Sequence, residues 1–215
     1  MPAAMLLALA ACDAPSSAGA PTQRSEQVIA TAAPPPATAP TPAAVHSAAP
    51  PRSKKLCDDD GNARGRALPK VTLAHAEASG APRLDGALAS RGAWTWVNFW
   101  AAWCGPCKEE MPRLLAWQDK LGKAGTPVRF VFVSLDDDPR QLQDFLEGQP
   151  QDGVRSSLWL PEGANRSSVL ASLRMKSTPE LPEQALVDPT GRVRCFVQGA
   201  VDEGDYAEIA DLVGR

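Results

Sequence analysis

The sequence predicts an α/β fold: a central mixed sheet with helices on both faces, preceded by a strand or hairpin extension. Three observations point there. Residues 94–100 and 128–135 are almost continuously apolar, as strands buried on both faces of a sheet are. Each is followed by a stretch with apolar residues at helical spacing, and a strand, helix, strand, helix alternation builds such layers. Two further apolar runs, 185–188 and 193–197, flank Asp188-Pro189-Thr190-Gly191, whose Pro and Gly stand where a hairpin turn needs them.

The 215 residues are enough for one ordinary domain with extra segments, though length alone does not separate one domain from two, and 44% apolar content is compatible with a packed core. A net charge of −3 and a pI near 5.5 give no electrostatic footprint for nucleic acid. Residues 5–11 form an apolar run of signal-peptide size, too short to span a bilayer, ending in Leu9-Ala10-Ala11-Cys12. That ending resembles the bacterial lipobox, in which the cysteine is lipidated and holds the protein at a membrane surface. No Lys or Arg precedes the run, so a plain alanine-rich N-terminus is the competing reading. The expected organisation is thus a lipoprotein-type leader over 1–12, a disordered linker over 13–67 and a globular domain over 68–215.

The linker is Ala, Pro, Ser and Thr with almost no large apolar residue, and its prolines prevent regular structure. About fifty flexible residues give a reach on the order of 40 Å, enough to let a domain search a zone above a membrane. Asp58-Asp59-Asp60-Gly61 reads as a solvated turn, lacking the alternating ligands and closing Glu of a calcium loop.

Within the domain, Val71-Thr72-Leu73 and the following residues to 82 suggest a strand or hairpin, and 85–90 a short turn or helix closed by Gly92. In the strand 94–100, Asn98 is the polar exception and must find hydrogen-bond partners. Met111, Leu114, Leu115 and Leu121 predict a helix over 104–121 with Pro112 inside it. The strand 128–135 ends at Asp136-Asp137-Asp138-Pro139, which can cap a helix whose apolar face is Leu142, Phe145 and Leu146. A short strand is expected at 157–160, a helix at 167–175, and a closing helix at 203–213 with Tyr206, Ile209 and Leu212 facing inward.

Cys104 and Cys107 carry the chemistry. Two sulfurs three residues apart at the start of a helix are placed to form a reversible disulfide, and the helix dipole favours the thiolate on the first. A structural zinc site wants four ligands, and the two histidines, His46 and His75, lie upstream with no second Cys pair to join them. A static disulfide would close a very small ring and stabilise little. Redox cycling is the reading left, and it needs neither metal nor cofactor. Cys57 and Cys195 remain: a structural disulfide if the protein is exported to an oxidising compartment, or a linker thiol and a small buried hydrophobe. Glu109 and Glu110 read as solvated helix-surface carboxylates, with a proton-handling role for either as the lesser alternative.

Trp103-Cys104-Gly105-Pro106-Cys107-Lys108 resembles the thioredoxin active-site sequence. With Val97-Asn98-Phe99-Trp100-Ala101-Ala102 before it and Glu110-Met111-Pro112 after it, the chain is similar to the TlpA/ResA-like thiol-disulfide oxidoreductases, exported and membrane-tethered bacterial proteins of thioredoxin-like fold. Leu181-Pro182 followed by Ala185-Leu186-Val187-Asp188 matches the family loop in which a cis-proline lies against the disulfide; Pro179 fits that spacing less well.

The resemblance implies that Cys104 is the nucleophile and Cys107 the resolving thiol. Trp103, Gly105 and Pro106 shape the site, and the backbone of Leu181 pairs with substrate. Gly105-Pro106 resembles reducing thioredoxins. Asn98 stands where thioredoxins carry a buried carboxylate, and Gly105 where ResA-like proteins carry a Glu, so the usual proton acceptors are missing. Glu183 and Gln184 replace the two threonines common in relatives.

The implied activity is reduction of disulfides in exported proteins, apocytochrome c among them, recharged by a membrane thiol-reducing partner in the cell envelope. Asp13 after Cys12 hints at the inner membrane. A redox-inert binding or chaperone module on the same scaffold is the alternative. Peroxidase activity would need a Pro-x-x-x-Thr-x-x-Cys setting, which the chain lacks.

Overall fold

A computed structural model describes residues 56–57 and 63–215. The leader, Cys12, His46, nearly all of the linker and the acidic turn at 58–60 lie outside the described residues.

Six strands form one sheet: β1 (Ala74–Glu77), β2 (Trp94–Trp100), β3 (Val128–Ser134), β4 (Ser156–Trp159), β5 (Glu183–Val187) and β6 (Val193–Gln198). Their spatial order is β1-β4-β3-β2-β5-β6. The β2-β3 and β3-β4 pairs are parallel, while β1-β4, β2-β5 and β5-β6 are antiparallel. The sheet is therefore mixed, with β2 at its centre. Among the described residues four α-helices accompany it: α1 (Gly105–Lys123), α2 (Pro139–Glu147), α3 (Ala164–Ser172) and α4 (Tyr206–Val213).

Side chains of a strand alternate between faces, and β2 shows what that does here. Trp96 and Trp100 pack with Met111, Leu114, Trp117 and Leu121 of α1, Leu142 and Leu146 of α2, and Ile209 and Val213 of α4. Val97 and Phe99 pack on the other face with Val169 and Leu170 of α3 and with Leu73 and Leu88 from the segment before β2. All four β2 side chains are fully buried, each contributing about 1.5–3 kcal/mol of apolar transfer. The two-sided burial is why this run carries no polar alternation.

The element boundaries differ from expectation in identifiable ways. The N-terminal strand is Ala74–Glu77, because that segment meets β4, while Thr72 makes only an isolated bridge to Ala87. Residues 85–90 contain no helix. The third helix runs Ala164–Ser172 instead of 167–175: after it, Arg174 takes a left-handed conformation (φ 60°) that stops the helix before Met175. The closing helix begins as a 3-10 turn, Glu203–Asp205, with Asp202 and Asp205 forming a reciprocal cap. Packed residues begin upstream of Leu68: Leu56, Cys57 and Ala63 are all buried against the domain. Among the described residues no helix is long and apolar enough to cross a membrane.

Candidate active site

The site is the junction between the end of β2 and the start of α1. Cys104 is the N-cap of α1, with its Sγ accepting from the Cys107 backbone N–H at 3.2 Å, and Pro106 occupies the first turn, where no intrahelical donor is required. The Cys104 and Cys107 sulfurs are bonded at 1.98 Å. Both cysteines are buried, whereas Trp103 is 65% exposed, a large hydrophobic side chain standing in solvent beside Cys104. Gly105 and Pro106 are exposed. An added Cβ on Gly105 would meet nothing within 4 Å, so its glycine is not a packing requirement.

The Leu181–Pro182 peptide is cis, and Pro182 is buried at the start of β5. Leu181 and Trp103 line one groove of about 480 Å³, whose floor includes Leu135, Leu170 and Met175. The structure thus brings the cysteine loop and the proline loop to the same surface. Pro179 lies further out on the rim of that groove.

The loop into α1 is held from β3. Asp136 is fully buried, and both of its carboxylate oxygens accept from the Ala102 backbone N–H at 3.0 Å. The Ser134 hydroxyl donates to Asp136 at 2.8 Å. Asp138 caps α2 through the Arg140 N–H, and Asp137 pairs with Arg166, so the three aspartates expected only to cap a helix divide three tasks.

Glu110 corrects the sequence reading most sharply. It is not a solvated surface carboxylate: it is fully buried, one helical turn beyond Cys107, while Glu109 is exposed. Its carboxylate accepts from Asn98 Nδ2 at 2.7 Å, from Gln184 Nε2 at 3.1 Å and from the Val201 N–H at 2.9 Å. Burial outweighs these donors and the nearby Arg113 charge, and pushes the carboxyl up to about 7. Arg113 donates to the Val201 carbonyl at 2.7 Å, so α1 grips both polar groups of one residue in the loop after β6.

Glu183 is a second buried glutamate, immediately after Pro182. By strand alternation it faces the side of the sheet opposite Gln184. Burial likewise raises it to about 7, against the opposing pull of Lys176. Asn98 and Gln184, paired across β2 and β5, meet through Glu110. The signal that would have found Glu110 was present in the chain: positions 107, 110, 111, 114, 117 and 121 form the buried stripe of α1.

Cys57 and Cys195 are also brought together, with sulfurs bonded at 1.96 Å at a sequence separation of 138. The Leu56 and Cys57 N–H groups donate to the Glu208 carboxylate at 2.8 and 3.1 Å, which ties this segment to α4.

Comparison with known proteins agrees with this geometry. Over 105 residues the chain is 30% identical to "Thiol-disulfide oxidoreductase ResA" of Oceanobacillus iheyensis, covering 49% of each chain. Over 107 residues it is 29% identical to "Thiol:disulfide interchange protein HelX" of Rhodobacter capsulatus, covering 50% of this chain and 53% of the relative. The chain therefore spans about half the length of these relatives. In fold it resembles the thioredoxin domain of a thiol-disulfide oxidoreductase from Bacteroides vulgatus, with a TM-score of 0.53 at 22% identity, covering 70% of this chain and 98% of that one. A match to the AhpC/TSA family extends over residues 65–196, which takes in both cysteines of the helix start and the cis-proline, and the chain belongs to that family.

Proposed function

We propose that the protein is a thiol-disulfide oxidoreductase working as a reductase of disulfides in exported proteins. The observation that carries this is a bonded Cys-x-x-Cys pair at a helix N-terminus, preceded by an exposed Trp103 that lines one groove with Leu181 of the cis-proline loop. Relatives that bear the names of thiol-disulfide oxidoreductases support the same reading.

In the reduced protein, Cys104 is the nucleophile. The N-terminus of α1 favours its thiolate, which attacks a substrate disulfide, forms a mixed disulfide and releases one substrate thiolate. Cys107 then attacks Cys104 Sγ, expelling the second substrate thiolate and leaving the Cys104–Cys107 disulfide. Cys107 must first lose its proton, and Glu110 is the acceptor: a buried carboxylate one helical turn away whose affinity for protons matches neutral pH. Leu181 presents its backbone to an extended substrate segment in the manner of strand addition. Asp136 holds the loop before Trp103 in place while this happens.

The physiological setting belongs to the same proposal. Lipidation at Cys12 would tether the domain to the outer face of a membrane, favouring the inner membrane through Asp13. The linker would give it reach, and a membrane thiol donor would reopen the disulfide. Apocytochrome c is a candidate substrate. The Cys57–Cys195 bond would serve as a structural tie between the end of the linker and the sheet.

Replacing Cys107 with Ser tests the mechanism in the native envelope. Mixed disulfides between Cys104 and specific envelope proteins are expected to accumulate. Failure to trap any would instead favour a redox-inert binding module.

A further inference from the structure

The buried polar group around Glu110 has an asymmetry that its proton-accepting role puts to use. Asn98 donates through Nδ2, and among the described residues its Oδ1 is buried with no hydrogen-bond partner. Gln184 Oε1 is likewise unpartnered, but Gln184 Nε2 is committed twice, to Glu110 and to the Gly199 carbonyl at 3.1 Å. Turning the Gln184 amide would set its oxygen against the Gly199 carbonyl. Turning the Asn98 amide breaks no other bond that the described residues make with it. A buried acceptor left unpaired is costly, so an unpaired Oδ1 on the same amide whose Nδ2 meets the Glu110 carboxyl is informative.

We infer that Asn98 is a positioning residue for proton transfer, a reversible amide that donates to the ionised Glu110 carboxylate and, after a half-turn, accepts from the protonated carboxyl. The 2.7 Å separation between Asn98 Nδ2 and Glu110 Oε1 suits both arrangements, being short for N–H···O and ordinary for O–H···O. The proton resides on Oε1, toward Asn98, while Oε2 keeps the Val201 N–H, and Gln184 stays in place. The step balances as one proton moving from the Cys107 thiol to Glu110. It leaves Cys107 as thiolate and Glu110 neutral, with Asn98 reversed, and the proton returns to the departing substrate thiolate or to solvent.

The charged and titratable surroundings are few. Arg113 on α1 acts on Glu110 and is itself held by the Val201 carbonyl and, at 3.4 Å, by Glu203; Cys107 lies one turn back; β2 and β5 offer only the two amides. A neutral residue that serves both protonation states lets the carboxyl gain and lose a proton without displacing either strand. The inference rests on Glu110 as the proton acceptor for Cys107.

The test is a titration of Glu110 in the oxidised full chain by carboxyl-carbon NMR, with Glu110→Gln assigning the signal, in wild type and Asn98→Leu. If Asn98 serves both states, its removal weakens both, and the Glu110 midpoint stays within about half a pH unit of wild type. If Asn98 is a donor to the carboxylate alone, the midpoint rises by about one to two pH units, and the inference fails. A second measurement avoids dependence on the variant's folding. The side-chain NH2 resonances of Asn98 in the wild-type protein are expected to shift with the Glu110 midpoint while those of Gln184 hold nearly still; an unmoved Asn98 signal overturns the inference. Disulfide exchange by Glu110→Gln reports separately on the proton-acceptor reading, since an unchanged rate there would sink that reading and leave the amide titration standing.

Discussion

Two residues of the candidate site, Glu110 one turn beyond Cys107 and Glu183 beside Pro182, hold carboxyl groups that burial raises from an ordinary 4.5 to about 7. Between those values the folded protein binds protons that the unfolded chain has released, so stability falls as pH rises through the window. It is fully present below about pH 4.5, and the loss is complete above about pH 7. Glu110 accounts for on the order of 3 kcal/mol of that slope, and Glu183, better screened by solvent, for less. Glu183→Gln should remove its share, seen as a smaller difference between urea unfolding at pH 4.5 and pH 8 in the oxidised protein. Glu110→Gln should flatten the slope too, and should also slow resolution of a mixed disulfide by about 100-fold near pH 7, whereas Glu183→Gln tests stability alone. Stopped-flow reduction of a protein disulfide checks the kinetic half.

At the scale of elements, the loop from β2 into α1 is fixed at both ends by different means. Cys104 caps the helix, and Asp136 at the end of β3 holds Ala102. Asp136→Ala leaves the half-buried Ala102 N–H and the buried Ser134 hydroxyl without their acceptor and should lower stability by about 1–3 kcal/mol, measured by chemical denaturation. Gly105 is the opposite case. Its surroundings are open, so Gly105→Glu should fold with unchanged stability to within about 1 kcal/mol. The added charge beside Cys104 should raise that thiol's titration midpoint, readable from the pH dependence of its alkylation.

Elements of this kind differ in how legible they are from the chain. The strands at Trp94–Trp100 and Val128–Ser134 and the helix start at Cys104 are written in local apolar runs and in a cap that the sequence displays. The third helix is displaced because Arg174, a residue with no intrinsic claim to a left-handed conformation, takes one where the chain turns toward Met175. The tasks of Glu110 and Asp136 lie beyond a local reading for a common reason. Carboxylates are solvated unless partners from distant elements receive them, and those partners, Asn98, Gln184, Val201 and Ala102, are assembled only by the sheet.

Over the whole molecule, the two disulfides divide into different physical roles. The Cys104–Cys107 ring is small and restrains the unfolded chain little, which leaves it free to open and close as chemistry demands. The Cys57–Cys195 bond spans 138 residues and joins the segment before the domain to β6, with Glu208 of α4 holding the same segment. Replacing both of those cysteines with Ser should lower stability by about 2–5 kcal/mol while sparing the exchange chemistry, a combination that unfolding and turnover measurements on one preparation can read.

The central claim is that Cys104 and Cys107 form a reversible two-electron couple poised to reduce substrates. The most direct test is its potential, obtained by equilibrating the full chain with thiol-disulfide buffers and quantifying the Cys104–Cys107 bond. A single couple near the thioredoxin value of about −270 mV is the predicted result; a potential near the strongly oxidising value of about −120 mV, or no reversible couple at all, would contradict it.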